Sequence, residues 1–178
     1  SSNKLIMLNK LFYLIFFILI LAMSRIIPHP PNFTPILASA IMAPILIKDR
    51  MFGIAIPIFA MFLSDIILGF HSYQFIVYFS ILMISLLTPI TKNYISLFII
   101  AITSSIWFYL VTNFAVWIIW DYYPKNIEGL ISCYILAIPF FKNTLLSACI
   151  FTCLIAFLSN HIENVNKKTI NMISKIIQ

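Results

Sequence analysis

Glycine is nearly missing from this chain: Gly53, Gly69 and Gly129 are the three in 178 residues. A loop that cradles phosphates draws on closely spaced glycines, so ATP or dinucleotide binding by the chain is set aside. Charge is scarce as well. Asp, Glu, Lys and Arg make up 9% of the residues, against about 25% in a soluble domain. Eleven basic and five acidic residues leave +6, but the basic ones are scattered as loop and tail marks, which argues against nucleic-acid binding. The three cysteines, Cys133, Cys149 and Cys153, follow no metal-ligand or redox spacing. Cys149 and Cys153, four apart, read as small buried thiols on one helical face.

What is present is apolar. The chain is 62% hydrophobic with a mean hydropathy of +1.06, the balance of an integral membrane protein. The expected fold is all-α, a compact bundle of about six transmembrane helices with an interfacial or re-entrant segment. Residues 1–160 would form the single bundle and residues 161–178 a basic cytoplasmic tail. Apolar runs predict helices near 5–24, 34–47, 51–68, 74–91, 94–118 and 144–160. The first, "LFYLIFFILILAMS" after Lys4 and Lys10, also resembles a signal peptide with Ala22 and Ser24 near a cleavage point; it is read as a membrane helix. The second is short, since about 14 residues reach about 21 Å against a hydrocarbon core of about 30 Å, so a tilted, thinly covered or re-entrant helix is expected. Pro44 and Pro57 predict kinks.

The connection from Asp121 to Asn143 is the longest, and its "LISCYILAIPFF" predicts the interfacial or re-entrant helix, stopped near Pro139. Beyond residue 160, Ile162, Val165, Ile170, Ile173 and Ile177 recur among polar residues. Either an amphipathic helix on the inner leaflet or an extension of the last span fits this pattern.

Six spans put both termini on one side with Lys4, Lys10, Lys48, Arg50, Lys92, Lys167, Lys168 and Lys175; Arg25, Lys125 and Lys142 fall on the other. The positive-inside rule then places both termini in the cytoplasm. On the outer side gather the rigid loop "RIIPHPPNFTP" with His29 and Asn32, then Asp65, His71, Asn113, Trp117, Trp120, Asp121 and Asn143. Asp65 lies in the apolar "FLSDIILGFH", where an ionised carboxylate demands a partner or water. It would contact a ligand or cation, or pair with His71 or Arg25. His29 and His71 with Asp65 are metal-compatible residue types without a metal-binding spacing, so no metal or other cofactor is assigned. In "NFAVWIIWDYYP" the tryptophans are either interface anchors or an aromatic wall for a flat ligand, oriented by Asn113 and Asp121. Ser64, Asp65 and His71 are hydrolase residue types, but the first two are adjacent and point apart on a helix, so no enzyme is expected. Ser39 with Ala43 and Ala101 with Ser105 are small-residue pairs suited to helix packing or to docking a partner.

"RIIPHPPNFTPILA", "FLSDIILGFH", "NFAVW", "YPKNIEGL" and "AIPFFKNTLL", in this order, resemble a family of uncharacterised bacterial membrane proteins, itself similar to the substrate-binding (S) components of energy-coupling-factor vitamin transporters. The resemblance implies a six-helix inner-membrane bundle that captures a vitamin-like micronutrient from outside, with a transmembrane coupling subunit and ATPases as partners. The motif positions carried over are Pro28, His29, Asn32, Asp65, His71, Asn113, Trp117 and Asn143. S components usually carry an alanine-rich coupling motif on the first helix. Here that helix is bulky, and "LASAIMA" in the second span offers the small-residue surface instead. An acid that commonly follows "NTLL" is replaced by Ser147 and Ala148. The alternative expectation is a structural or accessory subunit of a larger membrane complex, without its own ligand.

Overall fold

The computed structural model describes residues 2–177, with side chains at positions 11–12 and 14–168. Six helices follow in order: α1 (Ser2–Ile26), α2 (Ile36–Leu46), α3 (Arg50–Leu68), α4 (Gln74–Leu87), α5 (Tyr94–Ile119) and α6 (Ile127–Ile177). Helix starts are set by local chemistry where a cap is available. Asp49 accepts from the Met51 amide at 3.0 Å, and Asn93 accepts from the amides of Ile95 and Ser96 at 2.9 and 3.1 Å, satisfying N–H groups that have no partner within the helix.

The shortest helix is the centre of the bundle. α2 has 11 residues, about 16 Å of helix, yet every residue from Ile36 to Pro44 is buried, with α3, α4, α5 and α6 packed around it. The expectation of a thinly covered helix is therefore corrected. So is the expectation that "LASAIMA" presents an exposed coupling surface: Ala38, Ser39 and Ala40 are sealed inside the chain's own bundle. Small residues there let neighbouring backbones approach closely. At Gly53 of α3, a β-carbon would come within 2.5 Å of the Ala43 carbonyl oxygen, so α2 and α3 touch backbone to backbone. The pairs Ser39 with Ala43 and Ala101 with Ser105 are likewise buried in internal packing.

Two boundaries differ from the sequence reading. α4 ends at Leu87 rather than near 91, because Thr88 precedes Pro89 and is driven to extended backbone (φ −61°, ψ 121°). Arg50 then closes this end, donating from Nη2 to the carbonyls of Leu86 and Thr88 at 2.9 and 2.8 Å. The larger correction is α6. No separate interfacial or re-entrant helix forms between Asp121 and Asn143. Instead α6 runs unbroken for 51 residues, about 77 Å, with Pro139 inside it.

Proline in a helix interior costs about 3 kcal/mol, but this stretch is held against α5. The Tyr109 hydroxyl donates to the Tyr134 carbonyl at 2.6 Å, and the Tyr134 hydroxyl donates to the Leu110 carbonyl at 2.8 Å. These bonds, with the Tyr109 ring 4.6 Å from that of Phe141, fix α6 against α5 on both sides of the proline. At its other end α6 extends past residue 160 as a continuation of the same helix. It is tethered there by Asn160 to the Tyr94 hydroxyl at 2.8 Å and by Lys92 to Glu163 at 2.5 Å.

α3, α5 and residues 127–168 of α6 are long and apolar enough to cross a membrane; Leu14–Ile26, α2 and α4 are shorter apolar helices. Large side chains such as Phe59, Ile67 and Leu87 face outward, whereas Ser64, Ser80, Ser105 and Thr152 are buried. Apolar outside and small polar inside suits a bundle surrounded by lipid.

Candidate functional site

A cavity of about 520 Å³ opens among the helices at the end of the bundle that carries the proline loop. Ligand pockets commonly span about 300–1,000 Å³. Its apolar walls come from Leu37 of α2, Ile81 of α4, Phe108 of α5, and Phe140 and Phe141 of α6. Its polar lining includes Arg25, His29, Asn32, His71, Tyr73, Tyr109, Thr112, Asn113, Trp120, Thr144 and Ser147.

Arg25 stands in the last turn of α1. Its Nη1 donates to Asp65 Oδ1 at 2.6 Å, to Ser64 Oγ at 2.5 Å and to the Met61 carbonyl at 3.1 Å. Asp65 is 1% exposed. Its second oxygen accepts from the Tyr78 hydroxyl at 2.7 Å and from the Gln74 amide. Asp65 is thus fully engaged behind the cavity wall and does not line the cavity. Of the partners considered for it, Arg25 is the one in place. Ser64 is held as well, its Oγ 2.9 Å from each of the Ala60 and Met61 carbonyls, between which its one proton is shared.

The proline loop is riveted to its surroundings. His29 sets Nδ1 2.8 Å from the Pro30 carbonyl and Nε2 3.2 Å from the Arg25 carbonyl. Both are acceptors, so a neutral ring donates to one of them at a time. Asn32 adopts φ 61°, a left-handed conformation that asparagine tolerates better than most residues. Asn143 of α6 donates to the Pro31 carbonyl at 2.9 Å, and Ser147 approaches the Asn32 carbonyl at 3.5 Å. Phe33 meets Phe151 edge to face at 5.8 Å.

An aromatic group closes another part of the cavity. The rings of His71 and Tyr73 lie 4.0 Å apart, and Tyr73 meets Trp120 edge-on at 5.1 Å. Trp120 donates from Nε1 to Ser72 Oγ at 2.8 Å, which ties the end of α5 to the turn before α4. Among the described residues, His71 Nδ1 is buried without a hydrogen-bond partner. Burial lowers the pKa of His71; Asp65 opposes that shift and Arg25 adds to it. Burial raises that of Tyr73. Both therefore stay neutral near pH 7.

Of the nine residues singled out from sequence, His29, Asn32, His71, Asn113 and Trp120 line the cavity. Asp65, Trp117, Asp121 and Asn143 do not. Trp117 donates from Nε1 to the Pro124 carbonyl at 2.9 Å. Asp121 is fully exposed, 3.9 Å from Lys125 Nζ. Lys125 in turn donates to the carbonyls of Trp117 and Trp120, closing the end of α5. These residues brace the turn between α5 and α6.

Sequence reasoning missed Arg25, Tyr73 and Tyr109 as lining residues, and Gln74 and Tyr78 as partners of Asp65. The last two were signalled by two polar side chains four apart at the start of α4, which share a helical face.

No match is found among curated proteins or among solved structures. The family model of DUF6580, a family of unknown function, matches residues 6–169. That match spans most of the chain, which therefore belongs to DUF6580.

Proposed function

We propose that this chain is a membrane solute-binding protein for uptake of a vitamin-like micronutrient, similar in role to the S component of an energy-coupling-factor transporter. The observation that carries this reading is the cavity of about 520 Å³, where apolar and aromatic walls meet polar side chains from several helices, a size within the range of small-molecule sites. In this reading all six helices sit in the bacterial inner membrane with both termini in the cytoplasm, and the charge asymmetry turns the cavity end outward. The solute enters beside the proline loop and is held between α5, α6 and the His71 turn. No chemical step is assigned to the chain. A transmembrane coupling subunit and its ATPases supply the energy, and they dock elsewhere than on "LASAIMA", which is buried.

Native mass spectrometry of the full chain, released from nanodiscs, tests the proposal. A small molecule should co-purify with the wild type and be lost from Asn113→Ala and Trp120→Ala. The alternative, an accessory subunit of a larger membrane complex, draws on the bracing bonds of Asp65, Trp117 and Asn143. It predicts no ligand and a stable assembly with other membrane subunits on gentle purification.

A further inference from the structure

Building on the solute-binding reading, we infer that the cavity selects a flat, ring-bearing carboxylate, with Arg25 receiving the carboxylate and the Tyr73 and Trp120 side receiving the ring. Three observations lead there. First, among the described residues the hydrogen bonds of Arg25 all leave from Nη1. A guanidinium carries five N–H donors in a planar fork, so Nη2 and Nε remain unspent on a side chain that is 18% exposed and lines the cavity. Second, among the described residues no Asp or Glu lines the cavity, so its wall carries the charge of Arg25 and no opposing one. Third, the remaining lining is rich in aromatic rings.

Asp65 does not cancel this preference. It lies behind Arg25 and also accepts from Tyr78 and Gln74, which share in satisfying its charge. An anion at the open edge of the guanidinium is nearer to the cation than to the carboxylate behind it, and Coulomb energy falls with separation. Two parallel N–H donors match a carboxylate in geometry as well as charge. A cationic ligand finds no counter-charge in the wall.

The test uses the full chain in nanodiscs and follows tryptophan fluorescence and thermal shift. The probes are indole-3-carboxylate, quinoline-2-carboxylate and benzoate, each beside its neutral carboxamide. Acids should bind roughly 10- to 100-fold tighter than amides, the range of a charge-assisted hydrogen bond. Arg25→Lys keeps a charge against Asp65 but loses the fork, so acid binding should weaken. The double variant Arg25→Gln with Asp65→Asn removes both charges of the pair together and keeps the fold testable; it should lose the acid preference. Equal binding of acids and amides, or an acid preference that survives in the folded double variant, overturns the carboxylate assignment while leaving solute binding in place. If no probe binds and no small molecule co-purifies, both readings fail together.

Discussion

Arg25 Nη1 lies 2.6 Å from Asp65 Oδ1, joining the end of α1 to α3 across 40 positions of the chain. This contact explains how an apolar helix tolerates a carboxylate, and it holds Arg25 in place on the cavity wall.

Removing Arg25 leaves the Asp65 carboxylate buried without its counter-charge, which costs about 3–5 kcal/mol, whereas Arg25 without Asp65 still faces the cavity. Arg25→Met should lower thermal stability by that order, and Asp65→Ala by less. Arg25→Gln with Asp65→Asn should recover much of the loss. Melting curves in matched detergent provide the check, and additive losses in the double variant would refute the coupling.

Gly53→Ala should separate α2 from α3. The added β-carbon meets the Ala43 carbonyl oxygen and the Pro44 backbone, neither of which rotates away. Overpacking of this kind costs about 1–3 kcal/mol. A melting temperature equal to that of the wild type would show that the two helices do not approach as described.

Stability should fall as the medium is acidified below the ordinary histidine value of 6.5. Burial depresses the pKa of His71, so below that pH the unfolded chain takes up a proton that the folded ring resists. The unfolded state then binds more protons, and the contribution of His71 is full above 6.5 and declines toward its lower folded value. His71→Asn should flatten this part of the curve. Parallel curves for variant and wild type between about pH 7.5 and pH 5.5 would contradict the assignment.

Asn143→Ala should loosen the proline loop. The bond to the Pro31 carbonyl contributes on the order of 1 kcal/mol, so amide exchange at Phe33 and its neighbours should speed up while α3 and α5 keep their protection. Unchanged exchange in the loop would mean that other contacts hold it.

Most helices were legible in the sequence because each is one uninterrupted apolar run; α3 and α5 were read to within one residue of their observed ends. α6 was not, because Pro139 and the polar pair Lys142 and Asn143 look like a break. The neighbouring α5, bonded through Tyr109 and Tyr134, holds a helix there. α2 was expected to be thinly covered because length was its only sequence measure, and centrality depends on what packs around it.

The site divided in the same way. An aspartate or asparagine in an apolar run stands out, so Asp65 and Asn113 were found. Whether such a side chain faces the cavity or the wall depends on helix rotation, which separates lining Asn113 from bracing Trp117 one turn later. Arg25 was visible as a partner for Asp65, but its unspent edge appears only once its bonds are known.

An experimental density map of the cavity, from protein purified without added ligand, tests the solute-binding account most directly. The account predicts an open cavity holding discrete density of small-molecule size between Arg25 and Trp120. A cavity collapsed and filled by the chain's own side chains would contradict it.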